Sequence, residues 1–141
     1  MKRFILLTTL FTLLFINQIF AKEVSTIKIQ IGEEILNVEL VNNSTTVELK
    51  NRLTKGTITL NMKDYGNMEK VGDFEKSLPT NDEQISTNTG DITLYQGKSL
   101  AIYYGKNTWN LTRIGKIKNI SEDELKKILG KKSIKVELYL E

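Results

Sequence analysis

From Val24 onward the chain alternates. Ile27, Ile29 and Ile31 fall on one parity, with Thr26, Lys28 and Gln30 on the other. This period of two marks a strand with one face in a core and one in water. Gly32-Glu33 interrupts the pattern as a tight turn. Leu36, Val38 and Leu40 then resume it, with Asn37 and Glu39 facing out, so residues 24–40 predict a hairpin. Asn42-Asn43-Ser44 ends it. Thr45-Thr-Val-Glu48 has the form of a capping box, which predicts a short helix to about Leu53, stopped by Gly56. Ile58, Leu60 and Met62 alternate as a third strand, Asp64 to Asn67 is a turn, and Met68 to Val71 predicts a short fourth strand.

Residues 72–90 have no clear period and are punctuated by Gly72, Pro79, Asn81, Asp82, Asn88 and Gly90. Ordered loops of this length often carry function. Ile92 to Tyr95 and Leu100 to Tyr104 then pair across Gln96-Gly97-Lys98, and Trp109 to Ile117 is a seventh strand. A second helix has clear ends: Ser121 as N-cap, Glu124 completing a capping box, and Ile120 stapled to Leu125. Leu125, Ile128 and Leu129 form its apolar stripe. Lys126 and Lys127 suit the C-terminal end of its dipole, and Gly130 stops it. Ile134, Val136, Leu138 and Leu140 make an eighth strand. Eight strands and two short helices predict a mainly β fold, a closed barrel or a sandwich, with the amphipathic helices covering its open ends.

The opening of the chain belongs to a different regime. Met1-Lys2-Arg3 is basic, Phe4 to Ile16 is apolar, Asn17-Gln18 is polar and Ala21 is a small residue at a cleavage position. That is the layout of a secretory signal peptide over residues 1–21, and the apolar run is shorter than the ~20 residues a membrane-spanning helix needs. The expected working domain is therefore 22–141, secreted or periplasmic and without membrane contact after cleavage. Without Lys2 and Arg3, 18 of the 20 basic residues remain against 17 acidic ones. So near-neutral a charge gives no electrostatic case for nucleic acid.

The chain has no Cys and no His. No disulfide or thiol chemistry is open to it, and zinc and other soft-ligand sites lose their usual donors. Asp73, Asp82, Glu83 and Asp91 gather around the long loop without the spacing of a calcium loop. No metal and no cofactor are expected. Nucleophilic catalysis finds no His base and no Gly-x-Ser-x-Gly, and no glycine pattern would cradle phosphate.

The succession strand, strand, helix, five strands, helix, strand resembles the cyclophilin fold. The segments Ser77-Leu-Pro-Thr80, Gly90-Asp-Ile92, Leu94-Tyr95, Tyr103-Tyr-Gly105 and Thr112-Arg-Ile-Gly-Lys-Ile117 are similar to those of compact bacterial and archaeal cyclophilin-like domain proteins. The resemblance covers about residues 24–141. It implies a closed eight-stranded cyclophilin-like β-barrel with two capping helices, and it does not imply an activity. Active cyclophilins carry a Phe-His-Arg segment on the strand after the first helix, where the Arg hydrogen-bonds the proline-side amide, together with a nearby Gln and a later His. Here that strand is Thr57-Ile-Thr-Leu-Asn-Met62, and Gln84, the nearby Gln, falls on the long loop.

Two constellations remain as candidates. Trp109 and Arg113 lie four apart on one strand and share a face if it is regular, so the Arg beside the Trp ring could clamp an anionic or amide ligand or simply cover it. Met62, Tyr65, Met68 and Phe74 bracket the third and fourth strands and could form an adaptable groove or plug a barrel end. The candidate ligand contacts are Tyr65, Phe74, Tyr104, Trp109 and Arg113, in a groove along the third strand, the long loop and the Trp109 strand. The expected function is binding of an unknown small ligand or peptide without catalysis. The alternative is a weak peptidyl-prolyl isomerase with a displaced Arg at 113. A barrel closes its own edges, so a monomer is expected.

Overall fold

The computed structural model describes residues 24–141. The signal segment expected at 1–21 lies outside the described residues. The first hairpin is β1 (Thr26–Ile31) and β2 (Glu34–Leu40), registered with Ile31 opposite Glu34. Gly32, at φ +60°, opens its two-residue turn, a place where a side chain would be strained. Next come α1 (Ser44–Leu53), β3 (Ile58–Tyr65), β4 (Glu69–Asp73), β5 (Glu83–Ser86), β6 (Asp91–Tyr95), β7 (Ser99–Tyr103), β8 (Thr108–Lys118), α2 (Glu122–Leu129) and β9 (Ser133–Tyr139).

All pairings are antiparallel. Around the barrel the order is β2-β1-β9-β3-β4-β7-β6-β8, and β8 pairs back to β2 through Val38↔Ile117 and Leu40↔Gly115. The fold is thus mainly β, a closed eight-stranded barrel with two helices. The inward parity of each strand supplies one core, to which α1 adds Leu49 and Leu53 and α2 adds Leu125 and Leu129.

The structure adds one strand to the eight read from the pattern. β5 falls inside the stretch without a period and pairs with the first half of β8, Glu83↔Leu111 to Ser86↔Thr108. With four residues, of which only Ile85 is buried, it shows no readable alternation.

The N-cap of α1 also moves. Asn43, and not Thr45, accepts from the Thr46 backbone N–H, while the Thr46 hydroxyl receives the Asn43 N–H. Thr45 is buried and donates to Pro79 O at 2.6 Å, and Glu48 pairs with Arg52. Ser121 caps α2 as expected, accepting from Glu124 N.

The rest of the long loop is tied down. Arg52 donates to Lys76 O and Ser77 O, each at 2.7 Å, Leu78 N bonds Gly97 O, and Asn81 N donates to Thr112 Oγ1, which in turn donates to Asp82. Among the described residues no helix is long and apolar enough to cross a membrane.

Candidate functional site

β7 is buried on both faces. Leu100 and Ile102 point into the barrel, while Ala101 and Tyr103 join Val71, Ile85 and Leu111 in a second apolar cluster on its outer side. A strand apolar on both faces must be covered on both. The cover here is β5 with the first half of β8. Next to this cluster a cavity of about 450 Å³ opens on the outer face of β4 and β7.

Its lining is aromatic and nearly uncharged. Tyr65, Tyr95 and Trp109 are the three large aromatic side chains left exposed among the described residues, and all three border this one cavity. Such concentration of exposed apolar surface marks a binding site more often than chance exposure does. Val71, Ala101 and Leu111 form the apolar wall, and Ser99, Asn107 and the Tyr103 side chain supply polar groups.

Glu69 is the one charged residue that lines the cavity among the described residues. It is 7% exposed, its Oε2 has no hydrogen-bond partner, and it joins no ion pair among the described residues. Burial raises the pKa of its carboxyl above the ordinary value of 4.5, against a lowering contribution from the Tyr103 hydroxyl. Burial, with Glu69 alongside, pushes the Tyr103 phenol up to about 12.

A carboxyl with a raised folded pKa holds its proton longer in the folded than in the unfolded chain. Its effect is therefore a stability that falls as pH rises from 4.5 through the folded pKa. Glu69→Gln should accordingly be more stable than wild type near neutral pH, and the difference should vanish below 4.5. Thermal melts of both proteins across that range check it.

The five expected contacts separate. Tyr65 and Trp109 meet at this cavity, with exposures of 64% and 53%. Phe74 is 2% exposed and belongs to the barrel core. Tyr104 packs against the same core and donates its hydroxyl to Asp64, which also receives Lys70 Nζ at 2.8 Å. Burial and the Asp64 carboxylate push the Tyr104 phenol up to about 12. Arg113 lies on β8 outside the cavity, in a more polar groove with Asp91, Lys116 and Lys118, and its Nε donates to Glu83 at 2.7 Å. Both partners are about half exposed, so the pair contributes about 0–1 kcal/mol.

Glu69, Tyr95 and Asn107 were not legible as site residues. The one signal for them is the unbroken apolar run Leu100 to Tyr103, which announces a second covered face.

A strand crossing from the outer cover into the barrel needs a local break. β8 has one: Thr93 pairs Arg113 and Ile92 pairs Gly115, leaving Ile114 as the extra residue, turned into the core. The chain matches the cyclophilin-like family model over residues 29–141, which takes in all or part of every strand of the barrel.

The chain belongs to the cyclophilin-like family. The solution structure of a hypothetical protein from Archaeoglobus fulgidus is similar to it, with a TM-score of 0.62 at 13% identity, over 86% of this chain and 98% of that one. This likeness extends to the fold. No curated protein matches the chain. The residues that frame the cavity come from the ends of β3 and β6, from β4 and β7, and from the start of β8. The outward side chains of β3 are Thr59, Asn61, Lys63 and Tyr65, without Arg or His. The acids around the long loop serve local pairs: Asp73 accepts from Ser99, Asp82 from Thr112 and Asp91 from Asn88 N. Among the described residues no group of three or more acids, His or Cys could hold a metal ion.

Proposed function

We propose that this protein is an extracytoplasmic binding module that seats a small ligand or peptide segment in the outer-face cavity and does not catalyse a reaction there. The observation that carries the reading is the gathering of Tyr65, Tyr95 and Trp109 around one cavity floored by Val71, Ala101 and Leu111. Its size lies within the range of small-molecule sites. The three-part pattern of residues 1–21 supports the location.

Catalysis of prolyl isomerisation would require lowering a barrier of ~18–20 kcal/mol. A directed donor to the proline-side amide would be the main lever, and among the described residues no Lys or Arg lines the cavity. Desolvation of the amide alone is a weak substitute.

A proline-peptide isomerisation assay on wild type and Arg113→Ala tests this. Both rates should match the uncatalysed background. An acceleration that falls in the Arg113 variant would establish the weak isomerase instead.

A further inference from the structure

The outer-face cavity has one acidic side chain, and among the described residues it has no cationic partner. Glu69 is more than nine-tenths buried, lines the cavity, leaves Oε2 without a hydrogen bond and, among the described residues, meets no cation within ion-pair distance. A buried polar atom without a partner costs on the order of 1–3 kcal/mol, more when charged. An exposed Glu would avoid that cost. Tyr65, Tyr95, Tyr103 and Trp109 line the same cavity, and aromatic rings attract cations through their quadrupole. Among the described residues no basic side chain lines the cavity to compete for the carboxylate or to attract an anion. The cavity volume of about 450 Å³ leaves room for an apolar chain behind a charged head.

We infer that the cavity takes an organic ammonium ion on a short apolar chain, its charge against Glu69 and its chain against Trp109 and Leu111. This rests on the outer-face cavity being the binding site. The alkylammonium chemistry is shared by a free amine and by the side chain of a peptide lysine. An acid beside aromatic rings favours the charged form of an amine over an alcohol of the same length, because the alcohol offers neither a full charge to the carboxylate nor a cation to the rings.

The test is titration of the protein with n-hexylammonium, 1-hexanol and Nα-acetyl-lysine amide, read by calorimetry and by the fluorescence of Trp109, the chain's one tryptophan. Hexylammonium should bind about tenfold more tightly than hexanol. Glu69→Gln, checked for folding by its melt, should remove most of that difference, and Trp109→Ala should weaken both by calorimetry. Tighter binding of the lysine amide than of hexylammonium would support the inference with a peptide lysine as the source, and weaker binding would support it with a free amine. Equal binding of hexanol and hexylammonium would overturn the inference while leaving the binding module standing. Binding of neither would also overturn it, and the module would then be judged separately on neutral aromatic fragments.

Discussion

Gly115→Ala is expected to destabilise the barrel by about 3 kcal/mol, at the upper end of what overpacking costs. An added Cβ would lie 2.3 Å from Glu39 O, 3.1 Å from Glu39 C and 3.2 Å from Leu40 Cα. All three atoms are backbone, so no side-chain rotation can relieve the clash. The strand they belong to is β2, whose pairing with β8 closes the barrel. The seam must therefore part locally or shift its register. For a domain of this length the loss corresponds to a drop of roughly 10 °C in melting temperature. Amides of Val38 to Val41 should lose hydrogen-exchange protection first. Lys116→Ala, one residue on and exposed, is the control and should stay within about 0.5 kcal/mol of wild type. A Gly115→Ala protein as stable as that control would show that the seam is not closed as described.

The second large effect concerns the one fully buried lysine among the described residues. Lys70 has no exposed side-chain surface, pairs with Asp64 at 2.8 Å and lies 5.3 Å from the centre of the Tyr104 ring, whose hydroxyl also donates to Asp64. Removing one member of such a pair strands the other, whereas removing the buried charge does not. Asp64→Asn should cost about 3 kcal/mol, the low end for a broken buried pair because Asp64 is partly exposed. Lys70→Met leaves Asp64 able to reach water and should cost less than half as much.

Lys70 and then Tyr104 hold the Asp64 carboxyl below its ordinary value of 3.8. Its stabilisation is thus complete above 3.8 and is lost as pH falls through the lower folded value. The acid limb of the wild-type stability curve should flatten in Asp64→Asn. Urea titrations of the three proteins between acidic and neutral pH measure all of this. Equal losses in the two variants would contradict the pairing.

These two sites show what the sequence makes legible. The hairpin, the last strand and the Ser121 cap follow from alternation and capping chemistry, because inward and outward faces differ sharply there, whereas alternation alone leaves a barrel and a sandwich open and the resemblance points to the closed barrel. The segments that carry the family resemblance prove to be architecture. In Thr112-Arg-Ile-Gly-Lys-Ile117, Thr112 anchors Asn81 and Asp82, Ile114 fills the core at the break in β8, and Gly115 permits the seam. In Ser77-Leu-Pro-Thr80, Ser77 O and Pro79 O tie the long loop to α1. Gly105 lies so close to Met68 that a Cβ would meet its Cβ at 2.8 Å.

The site was less legible, since it depends on which outward residues a distant strand covers. Phe74 and Trp109 are both aromatic residues near loops, yet one turns into the core and the other onto the cavity. Glu69 and Lys70 are neighbours in sequence, one facing the outer cavity and the other buried beside Asp64. Only the pairing of β4 with β7 and the fold-over of β5 and β8 separate them.

The most direct test of the central claim is residue-resolved chemical-shift mapping while a set of small aromatic and alkyl fragments is added to the protein. Binding in the outer-face cavity predicts shifts concentrated at Glu69, Ala101, Tyr103, Asn107 and the Trp109 indole, with the Arg113 groove unchanged. Shifts centred on Arg113, Lys116 and Lys118, or no fragment shifting the cavity residues at all, would contradict it.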